Sequence, residues 1–502
     1  MQADTNFYRK EEDKMIHPDF EEVLCQASKY NKIPVYLEMY MDFQTPIAVL
    51  SLIKEKYDRY FLLESIQGGE KLARYTFIGF NPQACFYAKD GKSFYATREE
   101  VRKFEGNPLD ALKALMATYK APTNKALPPF TGGGVGYFSY DMVQYVEDIK
   151  LASKDELNAA DIKLMFFDNV IAFDHFKQKI FLITNIDGDM SGLEERYTEA
   201  KNELKEMMAF ITKPVKRRTA HLNEEIVFKS NTSKEEFMRR VEKAVRYIRN
   251  GDIFQVVPSQ TFKADFPNNL FDVYRALRTI NPSPYMYLMQ FDDLQLAGAS
   301  PETLVKVKDG IVTTMPIAGT HPRGKTEEED KRLDEELLHD PKELAEHNML
   351  VDLARNDIGK ISEIDSVEVA EYMALQRFSH VTHITSTVKG KLLQGLTGVD
   401  AVRSILPAGT LSGAPKIRAM EIINELEQQR RGIYGGAIGY IAYDGSLDTC
   451  IAIRTIVKKD GVAYIQAGGG VVLDSVPEKE YEESVNKATA LFEAVKKVRE
   501  II

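Results

Sequence analysis

The chain has 502 residues, 44% of them hydrophobic, so it can bury a substantial core without disulfides. Its 65 basic and 75 acidic residues give a formal charge of −10, which argues against a nucleic-acid-binding protein because such proteins carry a basic footprint. Cys25, Cys85 and Cys450 are too few for a disulfide framework, and no apolar run has the length of a membrane span or a signal peptide. We therefore expect a globular cytoplasmic protein that binds neither nucleic acid nor membrane.

Hydrophobic periodicity predicts a mixture of strands and helices along the chain. Strands are predicted at Pro34–Met41, Tyr60–Glu64, Ile162–Phe173, Lys179–Thr184, Ile253–Phe266, Tyr434–Tyr443 and Ala463–Ala467. Helices are predicted at Asp110–Tyr119, Gly192–Ile211, Ser233–Arg249, Lys342–Asp357, Lys416–Gln429 and Glu478–Ile502. Because strands mostly follow strands, the sequence favours an α+β fold with antiparallel sheets over a doubly wound parallel fold.

The start of the last predicted helix carries the clearest local signals. Ser475 and Glu478 have the spacing of a capping box, and Pro477 is tolerated in the first turn. The apolar residues that follow recur on one helical face: Val485, Ala488, Phe492 and Val495. We expect that face to be buried.

A basic polar stretch, Lys213–Asn223, follows the predicted helix that ends at Ile211 and contains Pro214. This composition predicts a linker at residues 213–223 between an N-terminal region, residues 1–212, and a C-terminal region, residues 224–502. The C-terminal region is richer in glycine loops, so we expect the chemistry to lie there.

Two pairs of glutamates are spaced so that both carboxylates of a pair share one helical face: Glu343 with Glu346, and Glu480 with Glu483. Four carboxylates on two facing helices would offer the oxygen ligands that Mg²⁺ prefers, with open positions for an anionic substrate. The alternative is that these are solvated pairs, which are common in a chain with 75 acidic residues. His347 on the first of these helices is more typical of a hydrogen-bonded structural histidine.

Two histidines, His380 and His383, lie in a predicted strand. A zinc site is not indicated, because no cysteine or further histidine has a suitable spacing. Their odd separation would send the two rings to opposite faces of a strand, so one ring could face a site and act as a general acid or base.

Glycine-rich loops and one buried cation offer binding groups for an anion. Gly409–Lys416 is not a Walker A sequence, so we interpret it as a loop that leads into a helix. The glycines at 435–436 and 468–470 could bring backbone amides close to a carboxylate, although bends in a sheet would explain each cluster alone. Arg454 lies in an apolar strand, where a buried guanidinium needs an anionic partner.

Motifs in the C-terminal half, taken in order, resemble those of the chorismate-utilising enzymes, in particular the anthranilate synthase component I family. These are Gly251–Ser259, Asn281–Met286, Ala299–Glu302, Pro316–Thr320, Lys342–Asp357, Gly409–Lys416, Tyr434–Gly436, Leu447–Thr455 and Gln466–Lys487. Leu62–Ser65 in the N-terminal region resembles the tryptophan-binding motif of the same family. The resemblance implies two large antiparallel sheets packed face to face with helices outside.

For the metal and the substrate, the resemblance implies that Glu346 and Glu483, assisted by Glu343 and Glu480, bind Mg²⁺. The metal would hold the ring carboxylate of chorismate. The other carboxylate and its surroundings would be bound by Arg454, Tyr434, Gly468, Gly469 and Gly470, and the pocket would be completed by Gly319, Thr320 and Thr410.

The implied reaction has two steps. Ammonia adds at C2 of chorismate as the C4 hydroxyl leaves, giving aminodeoxyisochorismate, and elimination of pyruvate then gives anthranilate, the first step of tryptophan biosynthesis. In this family His383, not His380, would help the hydroxyl to leave, and Glu302 would act as general acid or base near C2.

Position 318 separates the possible relatives. Aminodeoxychorismate synthases typically have a nucleophilic lysine there, whereas Ala318 cannot be a nucleophile, which favours direct attack by ammonia. An enzyme that stops at aminodeoxyisochorismate, or a non-catalytic amino-acid sensor with the same fold, are the remaining alternatives. The tryptophan motif argues against the former, and the retained acidic pairs, His383 and Arg454 argue against the latter.

The resemblance also implies a partner and an inhibitor. The three cysteines lack a glutaminase motif, so a separate glutamine amidotransferase subunit (component II) should supply ammonia, in a heterotetramer. L-Tryptophan would be bound by Glu64, Ser65, Pro284, Tyr285 and Met286. Beyond Ser65 the sequence departs from some members, so Lys71 is not assigned as a contact.

Overall fold

The computed structural model describes residues 15–66, 74–215, 225–377 and 381–500. Within these ranges no helix is both long enough and apolar enough to cross a lipid bilayer. The helices are α1 Phe20–Ala27, α2 Pro46–Lys56, α3 Pro108–Met116, α4 Leu193–Ile211, α5 Lys234–Arg249, α6 Phe271–Ile280, α7 Glu327–His339, α8 Pro341–Gly359, α9 Gly398–Ile405, α10 Lys416–Glu427 and α11 Pro477–Lys497.

The strands as far as the predicted linker are β1 Ile16–His17, β2 Lys32–Tyr40, β3 Tyr60–Glu64, β4 Tyr75–Phe80, β5 Ala84–Lys89, β6 Lys92–Thr97, β7 Val101–Phe104, β8 Gly133–Phe138, β9 Ile162–Phe167, β10 Asn169–Asp174 and β11 Lys179–Asp187. Those after it are β12 Lys229–Ser230, β13 Gln255–Val256, β14 Ser259–Asp265, β15 Tyr285–Gln290, β16 Leu294–Ser300, β17 Thr303–Lys308, β18 Ile311–Thr314, β19 Ile317–Pro322, β20 Glu368–Arg377, β21 Val381–Lys391, β22 Gly413–Ala414, β23 Ala437–Ala442, β24 Leu447–Ile451, β25 Thr455–Lys459 and β26 Val462–Gly468.

Two large antiparallel sheets organise the molecule, as the sequence predicts. The first sheet has the strand order β1-β2-β11-β10-β4-β3-β15-β16-β25-β26-β14-β12, and the second has β19-β21-β18-β17-β24-β23-β8-β9-β5-β6-β7, with β20 added on β21. A short ribbon of β13 and β22 stands apart from both.

The sheets pack face to face, and helices cover their outer faces. One apolar cluster lies between the sheets and includes Phe61 and Tyr287 from the first sheet and Phe167 and Ile438 from the second. A second cluster joins the outer face of the first sheet to helices such as α4, α6 and α11, and a third joins the second sheet to α3, α8 and α9. The α+β prediction is confirmed in this layered form.

Both sheets contain strands from each side of the predicted linker. In the first sheet, Leu62 of β3 pairs with Leu288 of β15, and in the second, Gly136 of β8 pairs with Gly439 of β23. The division at residues 213–223 stays a prediction about chain segments, and it does not separate two sheets.

Four local predictions need correction. The predicted strand Ile253–Phe266 forms β13 and β14, which belong to different sheets, and Arg454 lies between β24 and β25 rather than in a strand. The apolar run Ile162–Phe173 forms two strands, β9 and β10, which belong to different sheets and are separated at Asp168. The predicted capping box is also wrong, because the cap of α11 is Val476 and the Ser475 hydroxyl accepts from the Val472 amide instead. The buried face of this helix is confirmed by Ala488 and Val495 in the core, with Val485 and Phe492 packed beside them.

Candidate active site

A cavity of about 600 Å³ lies where the predicted site residues converge. Its lining includes Glu302, Gly319, Glu343, Glu346, His383, Thr410, Tyr434, Arg454, Gly468, Gly470, Glu480 and Glu483. These residues come from distant parts of the C-terminal half, so the fold brings together side chains that the sequence could only group by motif. Ala318, which is 8% exposed, also lies in the wall.

Four glutamates enter this cavity from two helices. Glu343 and Glu346 lie near the start of α8, where the Asp340 side chain accepts from two backbone amides and Pro341 occupies the first turn. Glu480 and Glu483 lie near the start of α11. The predicted sharing of a face within each pair therefore places both pairs at one site.

The charges within each pair repel one another. Burial, and next the neighbouring Glu346, raise the pKa of Glu343, and burial and Glu483 raise the pKa of Glu480 against a hydrogen bond from Ser475. Glu483 is paired with Lys487 at 2.6 Å, and the Gln255 amide donates to Glu346 at 3.3 Å. Like charges held close in a partly buried cavity are suited to a cation.

The residues present fit a hard divalent cation, although they are not drawn together into a cluster. Glu480 Oε2 is buried without a hydrogen-bond partner, and a Cβ on Gly469 would lie 3.2 Å from it, so glycine leaves room at this oxygen. Within the described ranges, no three acidic, histidine or cysteine side chains already lie close enough together to hold a metal. The donor set is oxygen only, which suits Mg²⁺.

Strand β21 carries His383 into the cavity wall, beside Gly319 of β19. Its Nδ1 lies 3.2 Å from the Gly319 carbonyl oxygen, and because a carbonyl only accepts, Nδ1 carries a proton. Burial lowers the pKa of His383, so the neutral ring is favoured near pH 7. His380 and the Thr320 side chain lie outside what the structure describes.

Glu302 forms a second polar centre of the cavity. Burial raises its pKa to about 8, against the opposing effects of a hydrogen bond from Thr410 and the charge of Lys487. The Thr410 hydroxyl donates to Glu302 Oε1 at 3.1 Å. A carboxyl group with a pKa near 8 can exchange a proton with a substrate at physiological pH.

Arg454 brings a positive charge to the cavity, and the neutral Tyr434 lies near it. Arg454 has a left-handed backbone, with φ of 51°, and its Nη1 donates to the Lys487 carbonyl oxygen at 2.7 Å. Burial lowers the pKa of Arg454, and burial raises that of Tyr434 to about 12, so both stay protonated at neutral pH. A buried guanidinium bonded to a neutral carbonyl is suited to receive a carboxylate.

The three glycines 468–470 are not equivalent. Gly468 and Gly470 line the cavity, whereas the Gly469 amide donates to the Pro258 carbonyl oxygen at 3.3 Å. Binding of an anion by the three amides stays a prediction, and the Gly469 amide would have to leave the Pro258 carbonyl to take part. A Cβ on Gly470 would lie 2.4 Å from the Gln255 amide nitrogen, so a side chain there would displace the amide that donates to Glu346.

Several cavity residues were not singled out by sequence reasoning, and two of them contact the predicted glutamates: Lys487 pairs with Glu483, and Gln255 donates to Glu346. Lys487 lies four residues after Glu483, a spacing that places both on one helical face and could have revealed it. Gln255 lies within the Gly251–Ser259 motif, but nothing in the spacing distinguishes its side chain from its neighbours.

The lysine of the Gly409–Lys416 loop is engaged within the protein. Lys416 is buried, and its ammonium donates to Asp357 at 2.5 Å and to the Ile405 carbonyl oxygen at 3.0 Å. This lysine therefore anchors the start of α10, and the loop contributes Thr410 to the cavity.

The residues predicted to bind tryptophan lie along β3 and β15, away from the cavity lining. Glu64 pairs with Met286 across these strands, and its carboxylate accepts from Arg278 at 2.5 and 3.0 Å and from Tyr274. Ser65 and Pro284 flank the same strand ends.

Tyr285 points to the opposite face of β15, because successive side chains alternate. Its hydroxyl donates to Asp448 at 2.8 Å, between the two sheets. Lys71 lies outside the described residues.

Comparison with known proteins identifies the family to which the chain belongs. The model of a family described as chorismate binding enzyme matches residues 58–493. The chain is 48% identical over 495 residues to anthranilate synthase component 1 of Acetivibrio thermocellus, covering 97% of this chain and 100% of that protein. It is 46% identical to the same component of Aquifex aeolicus, covering 95% and 97%.

Solved structures of related proteins have the same fold. Anthranilate synthase component I from Streptococcus pneumoniae has a TM-score of 0.76 and 39% identity, covering 90% of this chain and 99% of that one. The menaquinone-specific isochorismate synthase of Escherichia coli, at 17% identity, has a TM-score of 0.68 over 95% of this chain and 98% of that one, a likeness of fold alone.

Proposed function

The chain belongs to the family of chorismate-binding enzymes, and from this premise we propose that it converts chorismate and ammonia to anthranilate and pyruvate, the first step of tryptophan biosynthesis. The convergence of the motif residues on one cavity carries the proposal, together with relatives of the same length named anthranilate synthase component 1. The isolated chain would use free ammonia.

In the first step, ammonia forms a C–N bond at C2 while the C4 hydroxyl leaves as water, which needs one proton. The neutral His383 ring holds its one proton on Nδ1 against the Gly319 carbonyl, so Nε2 would first take up a proton from solvent and then pass it to the leaving hydroxyl. The nitrogen that has added at C2 loses one proton, which balances the step. In the second step, a base removes the proton at C2, the C3–O bond breaks, and enolpyruvate leaves and becomes pyruvate. Glu302 is our candidate for proton transfer at C2.

Binding divides between the two sides of the cavity. Glu346 and Glu483, with Glu343 and Glu480, would hold Mg²⁺, which when bound supplies positive charge for the ring carboxylate of chorismate. Arg454 and Tyr434, with Gly468, Gly469 and Gly470, would hold the carboxylate of the enolpyruvyl group. Gly319, Thr320 and Thr410 would complete the pocket.

The name component 1 implies a second component in the relatives. We infer that this chain is served by a glutamine amidotransferase subunit, in a heterotetramer, which would release ammonia from glutamine. We also infer feedback inhibition by L-tryptophan at Glu64, Ser65, Pro284, Tyr285 and Met286. The support is that most of these residues lie together at the ends of β3 and β15.

The test uses the purified full chain with chorismate, Mg²⁺ and ammonium, and follows the fluorescence of anthranilate. We expect product with ammonium but not with glutamine, loss of activity in EDTA, and inhibition by tryptophan. Pyruvate without anthranilate would overturn the amination, and an amino-chorismate product without pyruvate would overturn the second step. Activity that survives EDTA would overturn the metal dependence alone.

A further inference from the structure

A fully buried ion pair lies behind the cavity wall. The side chains of Glu427, at the end of α10, and Arg431, in the loop before β23, are 2% and 1% exposed. Arg431 Nη2 and Nε donate to the two oxygens of Glu427 at 2.6 and 3.0 Å. Both charges are therefore neutralised by two parallel hydrogen bonds in a dry environment.

The pair also holds three separate segments of backbone. Arg431 Nη1 donates to the Leu411 carbonyl oxygen at 2.7 Å, and Nη2 donates to that of Val257 at 2.5 Å. Glu427 Oε1 accepts from the Ser259 amide and hydroxyl, each at 2.8 Å. Leu411 and Val257 line the cavity, and Ser259 pairs with Gly468, which also lines it.

Resting on the proposed function, we propose that Glu427 and Arg431 are positioning residues for the reaction: they hold Thr410, and through it the carboxyl group of Glu302, at the cavity wall. Neither residue lines the cavity, so neither would touch the substrate.

One short turn connects Arg431 to Glu302 by hydrogen bonds. Leu411 is the last residue of the 3₁₀ turn Gly409–Leu411, so the hydrogen bond from Arg431 fixes the end of the turn that carries Thr410. Thr410 in turn donates to Glu302 Oε1 at 3.1 Å. A shift of this turn by a fraction of an ångström would lengthen that bond.

Stability alone is a poor explanation for such a pair. Taking two charges out of water costs about as much as their attraction returns, so apolar residues of similar volume often replace a buried pair without loss. The planar guanidinium serves Glu427 and two carbonyl oxygens at fixed angles, which a lysine cannot do. Arg431 also lies over the rings of Tyr140 and Tyr434, the second of which lines the cavity.

The test is Arg431→Lys in the full chain, which keeps the positive charge but removes the planar guanidinium and its several N–H donors. We expect kcat to fall about tenfold or more with a smaller change in the KM for chorismate, because misplacement of a catalytic group costs that much. The hydrogen bond from Thr410 lowers the pKa of Glu302, so its loss should shift the titration of Glu302 to higher pH. Thr410→Val should shift it in the same direction, and the double variant should shift it no further.

The titration is followed in the free chain by infrared difference spectroscopy of the carboxyl band that disappears in Glu302→Gln. Lys487 from α11 faces Glu302 as well, and His383, Arg454 and the four glutamates of α8 and α11 share the cavity, so the comparison is made at one ionic strength. This readout needs no turnover. If the wild-type chain forms no anthranilate, the proposed function fails, while the infrared shift still decides the positioning role.

The matched control is Lys32→Met, which breaks the pair of Lys32 with Asp168, a partly buried ion pair whose hydrogen-bonding partners lie outside the cavity lining. Lys32→Met should lower the free energy of unfolding without changing the pKa of Glu302. If Arg431→Lys does not fold, Glu427→Gln, which keeps the shape of the pair, takes its place. A wild-type kcat and an unshifted Glu302 titration in the folded variant would overturn the proposal and leave the pair a structural feature.

Discussion

At the scale of single residues, burial gives neighbouring groups of the same cavity different proton affinities. It raises the pKa of the Glu302 carboxyl to about 8 and lowers that of the His383 imidazole, so near pH 7 the acid is largely neutral and the histidine is neutral as well. Glu302 therefore lacks its usual negative charge, and His383 is held more firmly in its neutral form. Such an arrangement is typical of groups that exchange protons with a substrate.

Glu302→Gln tests whether Glu302 transfers a proton in the reaction. If Glu302 takes the proton from C2, kcat should rise as the pH passes through about 8. In the variant this rise should disappear, and kcat should fall by about 10²–10⁴-fold. The measurement is the pH dependence of kcat for anthranilate formation. A variant with the wild-type profile would exclude Glu302 from proton transfer.

The same substitution has a stability consequence with a definite sign. A carboxyl whose pKa is raised by folding is bound to a proton more tightly in the folded chain, so its contribution is fully present below its unfolded pKa and is lost as pH rises toward about 8. Glu302→Gln should therefore gain stability relative to the wild type as pH rises, measured by urea unfolding at several pH values.

At the scale of elements, α8 and α11 each bring a glutamate pair to the cavity, and Glu346→Gln tests whether they bind the metal. Removing one ligand oxygen should raise the Mg²⁺ concentration needed for half-maximal activity by about 100-fold, or abolish activity. Glu478→Gln is the matched control, since this α11 glutamate is exposed and pairs with Lys234. Equal Mg²⁺ dependence in both variants would remove Glu346 from the metal site.

The β3–β15 strand pair is the element on which tryptophan inhibition would depend. Glu64→Gln keeps the shape of the side chain but removes the charge that accepts from Arg278 and Tyr274 and would bind the ammonium group of tryptophan. The tryptophan concentration for half inhibition should rise about tenfold or more. Glu38→Gln on β2, which removes a carboxylate paired with Lys179, is the control. Inhibition of Glu64→Gln at the wild-type concentration would place the inhibitor elsewhere.

The elements also show what sequence reasoning could reach. Helix α8 contains the predicted helix because its apolar residues lie on one buried face, and β3 has the predicted bounds Tyr60–Glu64. The run Ile162–Phe173 could not be divided by periodicity, since both strands are buried on both sides and only Asp168 interrupts them. Motif resemblance placed Glu302 and His383. Glu427 and Arg431 are only four residues apart, but this spacing does not reveal that the pair is buried or that it is hydrogen-bonded to the distant residues Val257, Ser259 and Leu411.

At the scale of the whole molecule, the two sheets are shared between the halves of the chain. β3 lies between β4 and β15, and β8 lies between β9 and β23, so each half lacks neighbours that complete its sheet. We expect residues 1–212 and 224–502, expressed separately, not to fold alone, and the intact chain to unfold in one transition by calorimetry. A folded, monomeric C-terminal fragment would contradict this.

Sheet sharing also connects the predicted inhibitor strands to the cavity. β15 pairs with β16, and β16 ends at Ser300, two residues before Glu302. The hydroxyl groups of Tyr285 and Thr303 are hydrogen-bonded at 3.0 Å. A ligand at the ends of β3 and β15 would therefore act on strands continuous with the cavity wall.

The central claim is that this one cavity both adds ammonia and eliminates pyruvate. The most direct measurement is the parallel quantification of anthranilate and pyruvate formed by the purified chain from chorismate, Mg²⁺ and ammonium, for the wild type and Glu302→Gln. We predict equal amounts of the two products from the wild type and a parallel loss of both in the variant. Pyruvate formed without anthranilate, or no dependence on Glu302, would contradict the claim.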